Sequence, residues 1–289
     1  MAAGLRKYVE AIDGAPLPHG ILNTPCTDVR EVSDEHELLG VEWLALGCCP
    51  VQSWTDPCLD ESPGDLSPGE ESPGDVSGAP GAKEFCRPEI EYAEPIHLYA
   101  GSECSTIGWT YTEAREHAEA TLFLGEQQGL EAAFWRTKLT QDAVDITPAE
   151  GPVSVAQGVA LLEGCFAESY GGVGTLHVPV GAAALLGCCD LAREDPATGG
   201  LRTLAGNCVI IGAGYSAEST GPGGTSADPG TAWLYITGPL VIRRGPPVTI
   251  PDQPGPSVNT RTNDRRVLVE RTFVVGTTCT VCAVNVQIF

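Results

Sequence analysis

Positive charge is scarce in this chain: 16 Lys and Arg stand against 38 Asp and Glu in 289 residues, a formal net charge of −22. Phosphate backbones are gripped by Lys and Arg with release of counterions, so this balance excludes a general nucleic-acid reader. Long apolar runs are missing too. The longest stretch without Asp, Glu, Lys or Arg is Ser169 to Cys189, 21 residues. Gly171, Gly172, Gly174, His177 and Pro179 interrupt it, which reads as strand, turn and helix instead of a membrane span. No apolar segment follows Arg6 and Lys7, so no secretory leader is expected and synthesis in the cytoplasm is.

Catalytic signatures are equally sparse. The five histidines (19, 36, 97, 117, 177) form no H-E-x-x-H, and none lies four residues from another. There is no G-x-S-x-G, no Walker lysine and no Asp-rich metal loop. Cys279-x-x-Cys282 has no second pair at zinc spacing, and the twelve cysteines of this long, leaderless chain read as buried free thiols. The sharpest enzyme signal is Cys208-Val-Ile-Ile-Gly-Ala-Gly-Tyr-Ser-Ala217, a relaxed dinucleotide fingerprint. Glu218-Ser-Thr-Gly-Pro-Gly-Gly follows it, which predicts a glycine turn and no helix to receive a pyrophosphate. No catalytic, cofactor or metal residue is expected, and the chain is read as a non-enzyme.

What is present is core-forming chain with many turns. Hydrophobic residues make up 42%, while Gly (35) and Pro (23) together supply about a fifth. That favours strands and long loops over a bundle. Leu38–Val51 and Ile90–Ala100 predict two strands flanking a low-complexity insert. In that insert Ser62-Pro-Gly-Asp, Ser67-Pro-Gly-Glu and Ser72-Pro-Gly-Asp recur every five residues. Pro and Gly block both helix and ladder in each unit, so 60–81 reads as a solvated acidic loop tip.

Thr110-Tyr-Thr-Glu113 has the form of a capping box opening a helix through about 138. Ala114, Ala118, Leu122, Gly125, Leu130, Ala133 and Phe134 form its apolar stripe. Glu116, Glu119, Glu126, Gln127 and Glu131 are assigned to its wet side. Such a helix, about 40 Å long at ~1.5 Å per residue, is expected to run along the outside of the molecule. Residues 151–250 interleave two helices with strands at 174–178, 207–211, 231–237 and 240–243. The final stretch alternates Cys282, Val284, Val286 and Ile288 with polar partners, a half-buried strand. Its Arg261, Arg265, Arg266 and Arg271 outnumber Asp264 and Glu270 by two, whereas residues 1–109 are strongly acidic. Opposite charge at opposite ends invites contact between copies. The fold class is α+β.

Taken in order, an arm, a long hairpin excursion, one long helix, an α/β module and a closing strand resemble the major capsid protein of tailed bacteriophages, the Hong Kong fold shared with encapsulins. Local likeness lies in Leu124-Gly-Glu-Gln-Gln-Gly-Leu-Glu-Ala-Ala-Phe-Trp135, in Gly158–Glu163 through Tyr170–Pro179, and in Val267-Leu-Val-Glu-Arg-Thr-Phe-Val-Val275. The resemblance implies an N-terminal arm at 1–27, an E-loop at 28–100 and a P-domain with spine helix at 101–150. It further implies an A-domain at 151–250 and closing P-domain strands at 251–289. It implies a shell built from many copies, as hexamers and pentamers, around double-stranded DNA held non-specifically. Scaffold, portal or decoration proteins would be further partners, and no membrane. Assembly would take place in the host cytoplasm and the product would reside in the virion. Intersubunit contacts are expected at Arg261, Arg265, Arg266, Arg271, Trp43 and Trp54. Some relatives weld subunits by a Lys–Asn bond, which Lys83 with Asn259 or Asn263 could copy; the plainer reading of Lys83 is one charge relieving an acidic loop. Disulfides between subunits through Cys58 or Cys86 are a rival staple. The alternatives kept open are an encapsulin-like compartment shell and a soluble α/β nucleotide-binding enzyme using Gly212 and Gly214.

Overall fold

A computed structural model describes residues 14–47, 49, 51, 85–278 and 280–289. The repeat tip at 60–81, Trp54, Cys58 and Lys83 lie outside the described residues. In chain order, the first strand β1 (Asp28–Glu31) leads through a four-residue turn of helix, α1 (Glu35–Leu38), to β2 (Val41–Leu44). After the insert come β3 (Ile90–Ala93) and the long β4 (Pro95–Ser105). The long helix α2 (Tyr111–Phe134) runs into a π-helical turn (Trp135–Leu139) and a last short turn, α3 (Thr140–Asp142). Two short strands, β5 (Val144–Asp145) and β6 (Val153–Ser154), precede α4 (Val155–Ser169), β7 (Thr175–Pro179) and α5 (Val180–Cys188). Then follow β8 (Ala192–Glu194), β9 (Leu201–Thr203), β10 (Cys208–Gly212) and α6 (Ala213–Glu218). The chain closes with β11 (Thr231–Thr237), β12 (Val241–Arg244), β13 (Val248–Ile250), β14 (Val258–Asn259), β15 (Asp264–Gly276) and β16 (Cys282–Gln287).

Helix α2 starts where the capping box put it. The Thr110 hydroxyl accepts from the Glu113 N–H, and the Glu113 carboxylate accepts from the Thr110 N–H at 2.7 Å. Its apolar stripe lies on β4 and β15, which pair antiparallel from Asp264 opposite Ser105 to Val274 opposite Pro95. These two strands form the spine of a six-stranded sheet that β1, β12, β13 and β14 complete. The excursion is therefore shorter than the expected 28–100: β1 and β4 belong to this sheet, and only β2 and β3 form the separate ribbon. Parallel pairing of β1 with β12, over two hundred residues downstream, has no local signal to announce it.

The second sheet has eight strands, with β16, β11, β7 and β10 at its centre. Leu176, Val178, Leu234, Ile236, Val284 and Val286 face α4 and α5 across one core. Its other face joins Phe134, Trp135 and Leu139 from the end of α2 in a second core. That layering corrects two expectations. The last third of α2 does not run along the outside, and Glu126, Gln127 and Glu131 are buried instead of wet. Segment 14–27 is not a free arm either; Ile21 is fully buried in the core beside Leu130.

The fingerprint glycines also differ from expectation, because a six-residue helix, α6, follows β10 directly. A Cβ on Gly214 would stand 2.2 Å from the Gln128 carbonyl oxygen of α2, so this glycine lets two helices touch backbone to backbone. His177 is satisfied inside the sheet, 2.9 Å from both the Tyr215 hydroxyl and the Thr237 hydroxyl, and burial lowers its pKa to about 3. The cysteines depart furthest from the sequence reading. Cys26–Cys208, Cys49–Cys86 and Cys165–Cys282 form disulfides, with Cα atoms 5.9, 5.7 and 6.6 Å apart. Separations of 182, 37 and 117 residues gave no hint of these pairs. Cys86 is thereby engaged within its own chain.

Candidate intersubunit surface

Among the described residues, the ribbon of β2 and β3 and its flanks carry a concentration of uncovered apolar side chains. Its register sets Trp43 opposite Glu91 and Leu44 opposite Ile90. Side chains alternate across a strand, so Val41, Trp43, Glu91 and Ala93 share one half-buried face. The other face presents Leu44, Ile90 and Tyr92, exposed at 63%, 66% and 63%. Leu39, Leu46, Val51 and Phe85 around the ribbon are exposed as well. A two-stranded ribbon is marginal alone, and a contiguous apolar patch of this kind marks an interaction surface.

The inner face is anchored. The Trp43 ring packs against Gly276, where a Cβ would stand 3.1 Å from it, and lines a 340 Å³ groove with Leu44, Tyr170 and Arg243. Glu91 accepts from Lys138 Nζ at 2.9 Å, and Lys138 also donates to Asp142 at 2.6 Å. Burial works against the ammonium, but these two carboxylates outweigh it and raise the Lys138 pKa. Lys138 sits in the π turn, where the extra residue shifts the helix phase. The ribbon root is thus tied to the end of α2.

The arginines expected at the surface separate into two groups. Arg261, Arg265 and Arg266 gather at the start of β15 and the turn before it, with Arg266 3.0 Å from Glu103. Arg271 goes inward: its Nη1 lies 2.7 Å from buried Glu126, which Arg244 also approaches at 3.6 Å. Burial raises the Glu126 pKa, and the two arginines pull the other way. Trp43 likewise has its ring on its own chain. Trp54 lies outside the described residues.

Glu131 is the residue that the sequence reading missed. One carboxylate oxygen accepts from the Ile21 N–H at 3.0 Å and the other from the Gly214 N–H at 2.9 Å. Neighbouring Gln127 accepts from the Leu22 N–H and donates to the Leu17 carbonyl. Two adjacent polar residues of α2 therefore hold the N-terminal turn, and Glu131 holds α6 as well. Desolvation raises its pKa to about 7 against the backbone bonds that lower it. No spacing rule separates this carboxylate from a solvated one; only the backbone donors from distant segments do.

Comparison with solved structures bears on the whole arrangement. A chain from Mycobacterium phage Cain superposes with a TM-score of 0.51 at 11% identity, covering 97% of this chain and 94% of that one. The capsid of a native GTA particle gives 0.50 at 13% identity, covering 99% and 97%. Microbacterium phage Oxtober96 gives 0.50 at 9%, covering 99% and 95%. The fold is that of a phage capsid protein. No family model and no curated protein matches the sequence. Within the capsid fold, β10 and α6 form a joint against the long helix, and Gly214 is spent on that contact. Among the described residues no helix is long and apolar enough to cross a membrane.

Proposed function

We propose that this protein is a structural shell subunit, assembling in many copies into an icosahedral capsid that encloses double-stranded DNA. The observation that carries the reading is a capsid fold spanning nearly the whole chain with an apolar ribbon face left open. In this reading 1–27 is an N-arm whose 14–27 segment packs on its own body, and the E-loop is the part of 28–100 rooted in β2 and β3. Residues 101–150 form the P-domain with the spine helix, joined by β1 and β4. Residues 151–250 are the A-domain and 251–289 the closing P-domain strands. The Leu44, Ile90 and Tyr92 face lies on a neighbouring subunit, so that hexamers and pentamers complete each other's surfaces. Arg261, Arg265 and Arg266 meet acidic surface of another copy, supported by the contrast between the basic tail and an acidic first third.

A net charge of −22 keeps contact with packaged DNA weak and non-specific. The role is structural and not enzymatic, with the virion as destination, assembly in the host cytoplasm, and scaffold, portal or decoration proteins as auxiliary partners. Electron microscopy of the purified full chain tests the reading. Closed particles are expected, and Arg265→Glu with Arg266→Glu should lower particle yield while leaving the subunit folded. A stable monomer at high concentration, with no curved assemblies, would sink it. Particles filled with protein cargo instead of DNA in the native host would move the reading to a compartment shell.

A further inference from the structure

Among the described residues three cysteines stay outside the disulfides: Cys104, Cys188 and Cys189. Two of these are sequence neighbours at the end of α5, both exposed, with sulfurs 3.0 Å apart. That separation exceeds the roughly 2.05 Å of a disulfide, so the pair is a dithiol. The turn that presents it is fixed by the backbone. Leu191 N–H donates to the Leu186 carbonyl at 3.0 Å, Cys189 N–H donates to Gly187, and Asp190 takes the left-handed conformation at φ 56°. This closure resembles a Schellman cap, anchored below by buried Leu186. Arg193 pairs with the Asp190 carboxylate next door.

We propose that Cys188 and Cys189 form a bidentate site for a soft electrophilic centre that bonds both sulfurs at one atom, the chemistry of trivalent arsenicals. With an arylarsine oxide, two As–S bonds form and the As–O bond breaks. The oxygen leaves as water, taking both thiol protons, and no oxidant or reductant takes part. The hydrogen bond between the two thiols raises the Cys188 pKa. Holding the sulfurs side by side makes the second As–S bond intramolecular, so the chelate far outlasts a single thiolate bond. Zinc is a poorer fit, because tetrahedral sites take three or four protein ligands and no group of three donors is present among the described residues. Cys104 is alone, and burial raises its thiol pKa.

The test uses the purified full chain without reductant, exposed to phenylarsine oxide and washed with excess 2-mercaptoethanol before intact-mass measurement. One retained equivalent is expected, released by 1,2-ethanedithiol and mapped by fragmentation to Cys188 and Cys189. Cys188→Ser and Cys189→Ser should each cut retention by roughly ten-fold or more, the loss of a chelate, while Cys104→Ser leaves it unchanged. Native protein that the monothiol strips bare, or retention that survives in both serine variants, overturns the proposal. Both side chains are solvent-exposed, and an unchanged circular dichroism spectrum checks that the variants fold.

Discussion

Strand β7 and the β2–β3 ribbon use the same kinds of residue to opposite ends. In β7 every residue from Thr175 to Pro179 is buried, with Leu176 and Val178 under α4 and α5 and His177 satisfied on the other face. In the ribbon, Leu44, Ile90 and Tyr92 point away from the body. The difference lies in layers. A strand sandwiched between helices finishes its burial inside one chain, whereas the two-stranded ribbon has one face left uncovered among the described residues. Apolar composition alone does not tell these cases apart; the number of elements stacked on each face does.

Three experiments break or sharpen this contrast. The largest effect on the lone subunit belongs to the sandwiched strand: Leu176→Ala should cost about 2–5 kcal/mol, read as a fall in the urea midpoint. Next comes Glu131. Its folded pKa of about 7 lies above the unfolded 4.5, so the folded state holds more protons between those values. Its contribution to stability is therefore full below pH 4.5 and lost as pH rises through 7, by about 3 kcal/mol. Glu131→Gln should erase that slope relative to native protein in unfolding curves from pH 4.5 to 7.5, and identical slopes would remove the buried carboxylate from the account. The smallest effect on the lone subunit is Leu44→Ser, within about 0.5 kcal/mol, although particle yield should collapse. If Leu44→Ser destabilises the subunit as much as Leu176→Ala, the ribbon face is core after all and the contrast fails.

Legibility in the sequence followed the range of the interaction. The capping box at Thr110 and Glu113 and the stripe from Ala114 to Phe134 are local patterns, and they located α2 to within a few residues. The Ser-Pro-Gly repeat is a local pattern as well, but the loop tip it predicts lies outside the described residues. Glu126, Gln127 and Glu131 were misread because a helical period records what lies on one face and not what later packs against the other. Partners for them come from Arg271, Leu22 and Gly214, each distant in the chain. The disulfides among the described residues and the β1–β12 pairing were hidden by the same distance. Of the residues expected at contacts between copies, Arg271 pairs with buried Glu126 and Trp43 packs on Gly276 of the same chain, partners that lie far from them in sequence.

Lys138 joins the ribbon to the widened turn after α2 through the Glu91 carboxylate, with Asp142 of its own helical segment beside it. This joint is made by side chains alone, so a single substitution such as Lys138→Met removes it without touching a backbone hydrogen bond. If the proposed shell forms, every copy would carry the same substitution, so the change would act on the curvature of the whole lattice at once.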